Sequence, residues 1–145
     1  MKHIKAIAIA VFLLAGFAVV GTVSAQDHAA KATVPFGFNV GDMWVPAGTY
    51  TLSSSVRSPE VISIRSKDSK IDLMSLVSSD SRHLNGGQLV FKKYGDQYFL
   101  HEILCSACGI NVAFSSSKHE KFARTHQEAG IFSPTDVYLA LNRNN

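Results

Sequence analysis

The sequence predicts an all-β chain: a single antiparallel β-sandwich or partly closed barrel of about eight strands, with one short C-terminal helix before the last strand and a signal peptide in front. Three observations predict it. Apolar residues recur at period two, as in strands with one buried face. Turn-forming residues follow one another at short intervals. No segment of a dozen or more residues, which a parallel crossover would need, separates the runs up to residue 114.

The first element is the signal. Lys2, His3 and Lys5 precede an apolar run from Ala6 to Val20, and Val23-Ser24-Ala25 closes it. That run has the length of a signal core and falls short of the roughly 20 residues of a membrane-spanning helix, while Val23 and Ala25 fit the shallow pockets of a signal peptidase. Cleavage is expected after Ala25. Residue 26 is Gln, not the cysteine of a lipid-anchored product. Removing 25 of the 145 residues leaves 120, the size of one domain. Residues 26–31 read as a disordered lead-in, 32–141 as the β-domain and 142–145 as a tail. The product is expected in the periplasm or outside the cell, soluble and free of the membrane once cleaved.

Within the domain, Val34, Phe36, Phe38 and Val40 alternate with smaller or polar residues, a strand in which Pro35 cannot donate to a ladder and so favours a sheet edge. Gly41-Asp42 turns the chain, Val45-Pro46-Ala47-Gly48 turns it again, and Tyr50 and Leu52 continue as strand. Further strands are predicted over 61–65, 71–78, 89–94, 97–105 and 110–114. Gly95-Asp96 suits a two-residue type II′ hairpin, which places Phe91 opposite Leu100 and Lys93 opposite Tyr98. Ser117 followed by Glu120 forms a capping box, and Gly130 a left-handed stop, so 118–129 reads as a helix. On it His119, Phe122, His126 and Ala129 share one face, where Phe122 is the only large apolar residue. The last strand is predicted over 137–141.

Two stretches carry a resemblance. Val34-Pro35-Phe36-Gly37-Phe38-Asn39-Val40-Gly41 leads to Val45-Pro46-Ala47-Gly48-Thr49-Tyr50, and Leu89-Val90-Phe91 leads through Tyr94-Gly95-Asp96-Gln97-Tyr98-Phe99-Leu100. Together they resemble small exported proteins frequent in acidobacterial genomes, with a PFxFxVG then PAGxY opening and a YGxxYFL hairpin. The resemblance implies export and a β-rich fold. It transfers no catalytic residue.

Charge and motifs bound the chemistry. Lys2 and Lys5 leave with the signal, so 12 basic residues face 11 acidic ones, scattered without the basic stripe of a nucleic-acid binder. Nucleic acid is therefore not an expected partner. Cys105-Ser106-Ala107-Cys108 is the strongest chemical feature. A redox centre would need a helix after its first Cys, whereas 109–114 reads as strand. Haem attachment would need His where Gly109 stands. Zinc would need two further ligands, for which His101 and His119 are nearest in sequence. A disulfide between Cys105 and Cys108 across the turn is the expectation. No cofactor and no metal is expected.

No arrangement fixes a catalytic residue. His119 and His126 lie two helical turns apart, where chelation wants i and i+4. His101 and Glu102 are strand neighbours and point to opposite faces unless the strand bulges there. Glu60, Asp72 and Asp80 show no spacing that sets two carboxylates across a cleft. Asp80-Ser81-Arg82-His83 is a loop cluster without an oxyanion-hole signature. Met43 and Trp44 are candidate contacts for a small-molecule, carbohydrate or protein ligand, against the alternative that Trp44 caps the core. The expectation is an exported, non-enzymatic binding or structural module. The alternatives are a secreted hydrolase whose site is assembled from loops, and an assembly subunit pairing through an edge strand, the strand 34–40 above all.

Overall fold

The computed structural model describes residues 28–68, 70–82, 86–128 and 134–143. The predicted signal peptide lies outside them, as do Gln26, His83, Ala129 and Gly130 with the predicted helix stop, and Asn144 with Asn145. Among the described residues no helix is long and apolar enough to cross a membrane.

Among the described residues eleven strands form: β1 (His28–Val34), β2 (Phe38–Val40), β3 (Met43–Val45), β4 (Gly48–Ser55), β5 (Ser58–Ser66), β6 (Asp72–Leu76), β7 (Ser78–Ser79), β8 (Gly87–Tyr94), β9 (Gln97–Cys105), β10 (Ile110–Ala113) and β11 (Thr135–Arg143). A 3₁₀ turn, Ser106–Cys108, joins β9 to β10, and helix α1, Lys118–Glu128, precedes β11. The strands run side by side in the order β3-β2-β9-β8-β11-β1-β4-β5-β6, with β10 paired to β9 and to β7. The architecture is one curled open sheet, half a barrel, and not two stacked sheets. The strand count exceeds the expected eight mainly through β2, β3 and β7, segments of two or three residues that alternation alone does not resolve.

Three boundaries and one pairing differ from the sequence reading for physical reasons. The strand expected over 34–40 breaks at Pro35-Phe36, since proline lacks the N–H that would continue the ladder. β1 instead starts at His28, inside the predicted lead-in, because all seven of its residues pair with β4 from His28↔Ser54 to Val34↔Gly48. β11 extends into the predicted tail, where Arg143 and Asn142 pair with Ala30 and Lys31 and so join the two halves of the sheet. Finally, β2 meets β9 in parallel, at Asn39↔Phe99, a contact that an all-antiparallel reading excludes.

The β8–β9 hairpin follows expectation. Phe91 faces Leu100 and Lys93 faces Tyr98. Gly95 has φ 58° and no described non-glycine residue has positive φ, the pattern of a type II′ turn.

The concave face holds the core. Phe91, Ile62, Ile64, Ile103 and Val45 are fully buried within it. Each such side chain stabilises the fold by about 1.5–3 kcal/mol. Phe36 and Phe38 both approach Phe91 edge to face, each with ring centroids 5.3 Å apart. Phe36 also stacks on Tyr98 at 4.0 Å. The PFGF segment thus closes the core over the β8–β9 hairpin, although it is barely strand itself.

Candidate functional site

Strands β8 and β9 are unusual in burying consecutive residues. Leu89-Val90-Phe91 and Ile103-Leu104-Cys105 are buried in succession, whereas β4 alternates. Successive burial means cover on both faces of the sheet. Toward the Gly95-Asp96 turn, the outer cover is α1. The Tyr94 hydroxyl donates to Glu120 Oε1 at 3.4 Å, and the His119 ring sits edge-on to Phe99 at 5.5 Å. Asp42 Oδ1 accepts from the His119 N–H at 3.2 Å, and Ser117 Oγ accepts from the Glu120 N–H at 3.0 Å, as the capping box requires. Of the face that His119, Phe122 and His126 share, His119 is the residue that meets the sheet. Phe122 is exposed and rests on His126, while Glu120 is buried. Burial first, and the Glu120 carboxylate second, push the Tyr94 hydroxyl pKa up.

At the other end of β9, the outer cover is ionic. The register passes from Phe91↔Leu100 to Val90↔Glu102, so His101 is the extra residue of a β-bulge. In a regular strand His101 and Glu102 would face apart. The bulge brings His101 Nε2 to 3.7 Å from Glu102 Oε1, too long for a hydrogen bond but within ion-pair range. Arg82 reaches the same oxygen at 2.5 Å and Asp80 Oδ2 at 2.6 Å. The Arg82 N–H also donates to Asp80 Oδ1 at 2.8 Å, and the Asp80 N–H to the Asn111 carbonyl at 2.8 Å, which ties this loop to β10. Hydrogen bonds from Arg82 hold the Asp80 carboxyl below the usual carboxylate range, and hydrogen bonds to Asp80 and then Glu102 push the guanidinium pKa further up.

Beside this cluster lies a recess of about 210 Å³. Val90 and Leu104 form its apolar floor, Glu102, His101, Lys92 and Asp136 its polar wall, and the exposed Tyr138 its rim. Here a histidine and a carboxylate share a pocket, but none of its described lining residues is a serine. With Arg82 bound to two carboxylates, the arrangement is an ion-pair clamp beside a polar recess.

Met43 and Trp44 occupy the terminal strand β3, 58% and 66% exposed. Trp44 does not cap the core. The Nε1–Cζ2 edge of its indole abuts Gly37, where an added Cβ would come within 3.0 Å of Cζ2 and 3.1 Å of Nε1. The ring-fusion carbon Cε2 would be farther, at 3.3 Å, so the approach is edge-on and the ring faces point away from Gly37. Glycine at 37 is what lets the indole sit there.

The remaining sequence candidates disperse. Cys105 and Cys108 are bonded to each other with Cα atoms 5.1 Å apart, which commits both thiols. Asp72 pairs with Arg65 on the surface at 2.9 Å, and Glu60 is exposed. His126 Nδ1 lies 3.0 Å from the Phe122 carbonyl on the exposed side of α1. The strand 34–40 is not a free edge, since β2 pairs with β3 on one side and with β9 on the other, and Val34 pairs with Gly48 of β4. The clamp of Arg82 on Glu102 was missed by sequence reasoning. Its signal was present as a lone acid inside the apolar run 99–105.

Fold and site together define a class: a curled β-domain with a disulfide at one hairpin end, an exposed tryptophan on its edge strand and a polar recess on its outer face. No protein-family model, curated protein or solved structure matches the chain.

Proposed function

We propose that the protein is an exported, non-enzymatic binding module of the periplasm or cell exterior, and that it meets a carbohydrate or protein ligand through the Met43–Trp44 edge. The observation that carries this reading is the exposure of Trp44 on a terminal strand, with its indole edge seated on Gly37. An aromatic ring supplies large contact area at little entropic cost. On its side away from β2, β3 has no strand partner among the described residues, and its backbone groups there suit an extended peptide. Export is supported by the basic, apolar and small-residue order of the first 25 positions and by the Cys105–Cys108 disulfide, which persists in oxidising compartments.

Calorimetric titration with neutral oligosaccharides and with extended synthetic peptides tests the binding claim. One of the two sets is expected to bind, and Trp44→Ala to weaken it by about tenfold or more, as the loss of a central aromatic contact does. Binding unchanged in that variant would refute the assignment. Intact mass of the secreted product tests export. Loss of residues 1–25 is expected, and a product retaining them would contradict it.

A further inference from the structure

We propose that the recess on the outer face of β8, β9 and β11 is a second binding site, one that takes a single neutral sugar ring. It is separate from the Met43–Trp44 edge and stands whether or not that edge binds anything.

Size sets the first limit. About 210 Å³ is below the roughly 300–1,000 Å³ of pockets for drug-sized ligands, so the occupant is one small ring and not a chain of them. The lining sets the second. Val90 and Leu104 give an apolar floor, and Tyr138, 59% exposed, an aromatic rim. Around them stand acceptors on Glu102 and Asp136 and donors on Lys92 and Gln88. A pyranose has the same division, with C–H groups on its faces and hydroxyls around its edge. The negative face of an aromatic ring attracts polarised C–H groups, and each hydroxyl both donates and accepts. One hydroxyl therefore bridges a carboxylate and an ammonium that do not already join each other.

Lys92 and Asp136 provide such a pair. They are register partners across β8 and β11, yet no ion pair joins them among the described residues. Charge argues against ionic occupants. Arg82 is already bound to Asp80 and Glu102, and the ammonium of Lys92 is opposed by the carboxylate of Asp136 directly across the ladder. An anion finds no unopposed cation there. A cation finds each carboxylate opposed in turn, Glu102 by Arg82 and Asp136 by Lys92 across the ladder.

The test uses the mature, isotope-labelled protein, followed by backbone amide shifts during titration with glucose, galactose and N-acetylglucosamine, and separately with phosphate, glycine and tetramethylammonium. At least one sugar is expected to shift the amides of Val90, Lys92, Glu102 and Tyr138 saturably at millimolar concentration. Tyr138→Ala and Asp136→Asn, both at exposed positions, are expected to weaken that binding about tenfold each while leaving the rest of the spectrum unchanged. Trp44→Ala is expected to leave it intact. Absence of saturable shifts at these amides with every sugar would overturn the proposal. So would binding that survives both recess variants, or a response to phosphate, glycine or tetramethylammonium alone.

Discussion

Strands β4 and β5 bury one face, whereas β8 and β9 bury two, and the polar recess opens where the second face is covered. Along β4, buried Tyr50, Leu52 and Ser54 alternate with partly exposed Thr51 and Ser53, and the outer side is a bare row of small hydroxyl side chains. On β6 the same outer side leaves Met74 and Leu76 exposed. Along β8 and β9 the outer side is roofed at one end by α1 and at the other by the Arg82 clamp. A sheet that needs only a core can leave its convex face to water. On β8 and β9 that face instead buries Glu102 and receives the buried Glu120 of α1, at a desolvation cost that Arg82 and Tyr94 offset, and it is there that the recess opens.

The comparison predicts a hierarchy of effects. The largest is Leu104→Ala on the outer face of β9. If that face is a second interior, the cost is about 2–5 kcal/mol, as for a core leucine, and urea denaturation measures it. A cost below about 0.5 kcal/mol, the surface value, would show that the roof is not closed. Next is replacement of both Cys105 and Cys108 by Ser. The disulfide closes so short a loop that its removal should cost about 2 kcal/mol and leave the fold intact. Complete unfolding at room temperature would show that the hairpin end does more than the chain-entropy argument allows.

Smaller again is Tyr94→Phe, which removes the hydroxyl bonded to Glu120 and should cost about 1 kcal/mol. Burial raises the pKa of Tyr94, so its neutral form favours the folded state. The contribution is complete below the ordinary tyrosine value of about 10 and is lost as pH rises through the higher folded value. Tyr50, whose hydroxyl donates to the Pro46 carbonyl, is pushed up by burial as well. The alkaline loss of stability should therefore shrink, but not vanish, in Tyr94→Phe. An unchanged alkaline profile would mean that α1 does not bury Tyr94 in solution. The smallest effect is Leu76→Ala, on the bare side, expected within about 0.5 kcal/mol.

How much of this was legible in the sequence follows the same division. The Gly95-Asp96 hairpin was readable down to its register because two turn residues determine which residues face each other. The disulfide was readable because Cys105 and Cys108 are the only two cysteines and stand a turn apart. Position 101 was not readable, because a bulge depends on how β9 fits β8 and leaves no mark on alternation. The attachment of α1 was not readable for a related reason. Amphipathicity showed a face with a single large apolar residue, Phe122, but the helix is held by its first turn, where Glu120 meets a hydroxyl from a distant strand and His119 meets Phe99. The break at Pro35 was signalled by the proline itself, which the alternation on either side of it obscured.

The most direct test of the account's central claim uses Trp44 as its own probe, since it is the only tryptophan in the chain. Its fluorescence is expected to be that of a water-exposed indole, readily quenched by acrylamide, and to become protected when the oligosaccharide or peptide that binds in calorimetry is added. Emission that is shielded from quencher in the free protein, or that is unmoved by a ligand shown to bind, would contradict the Met43–Trp44 edge as the contact surface.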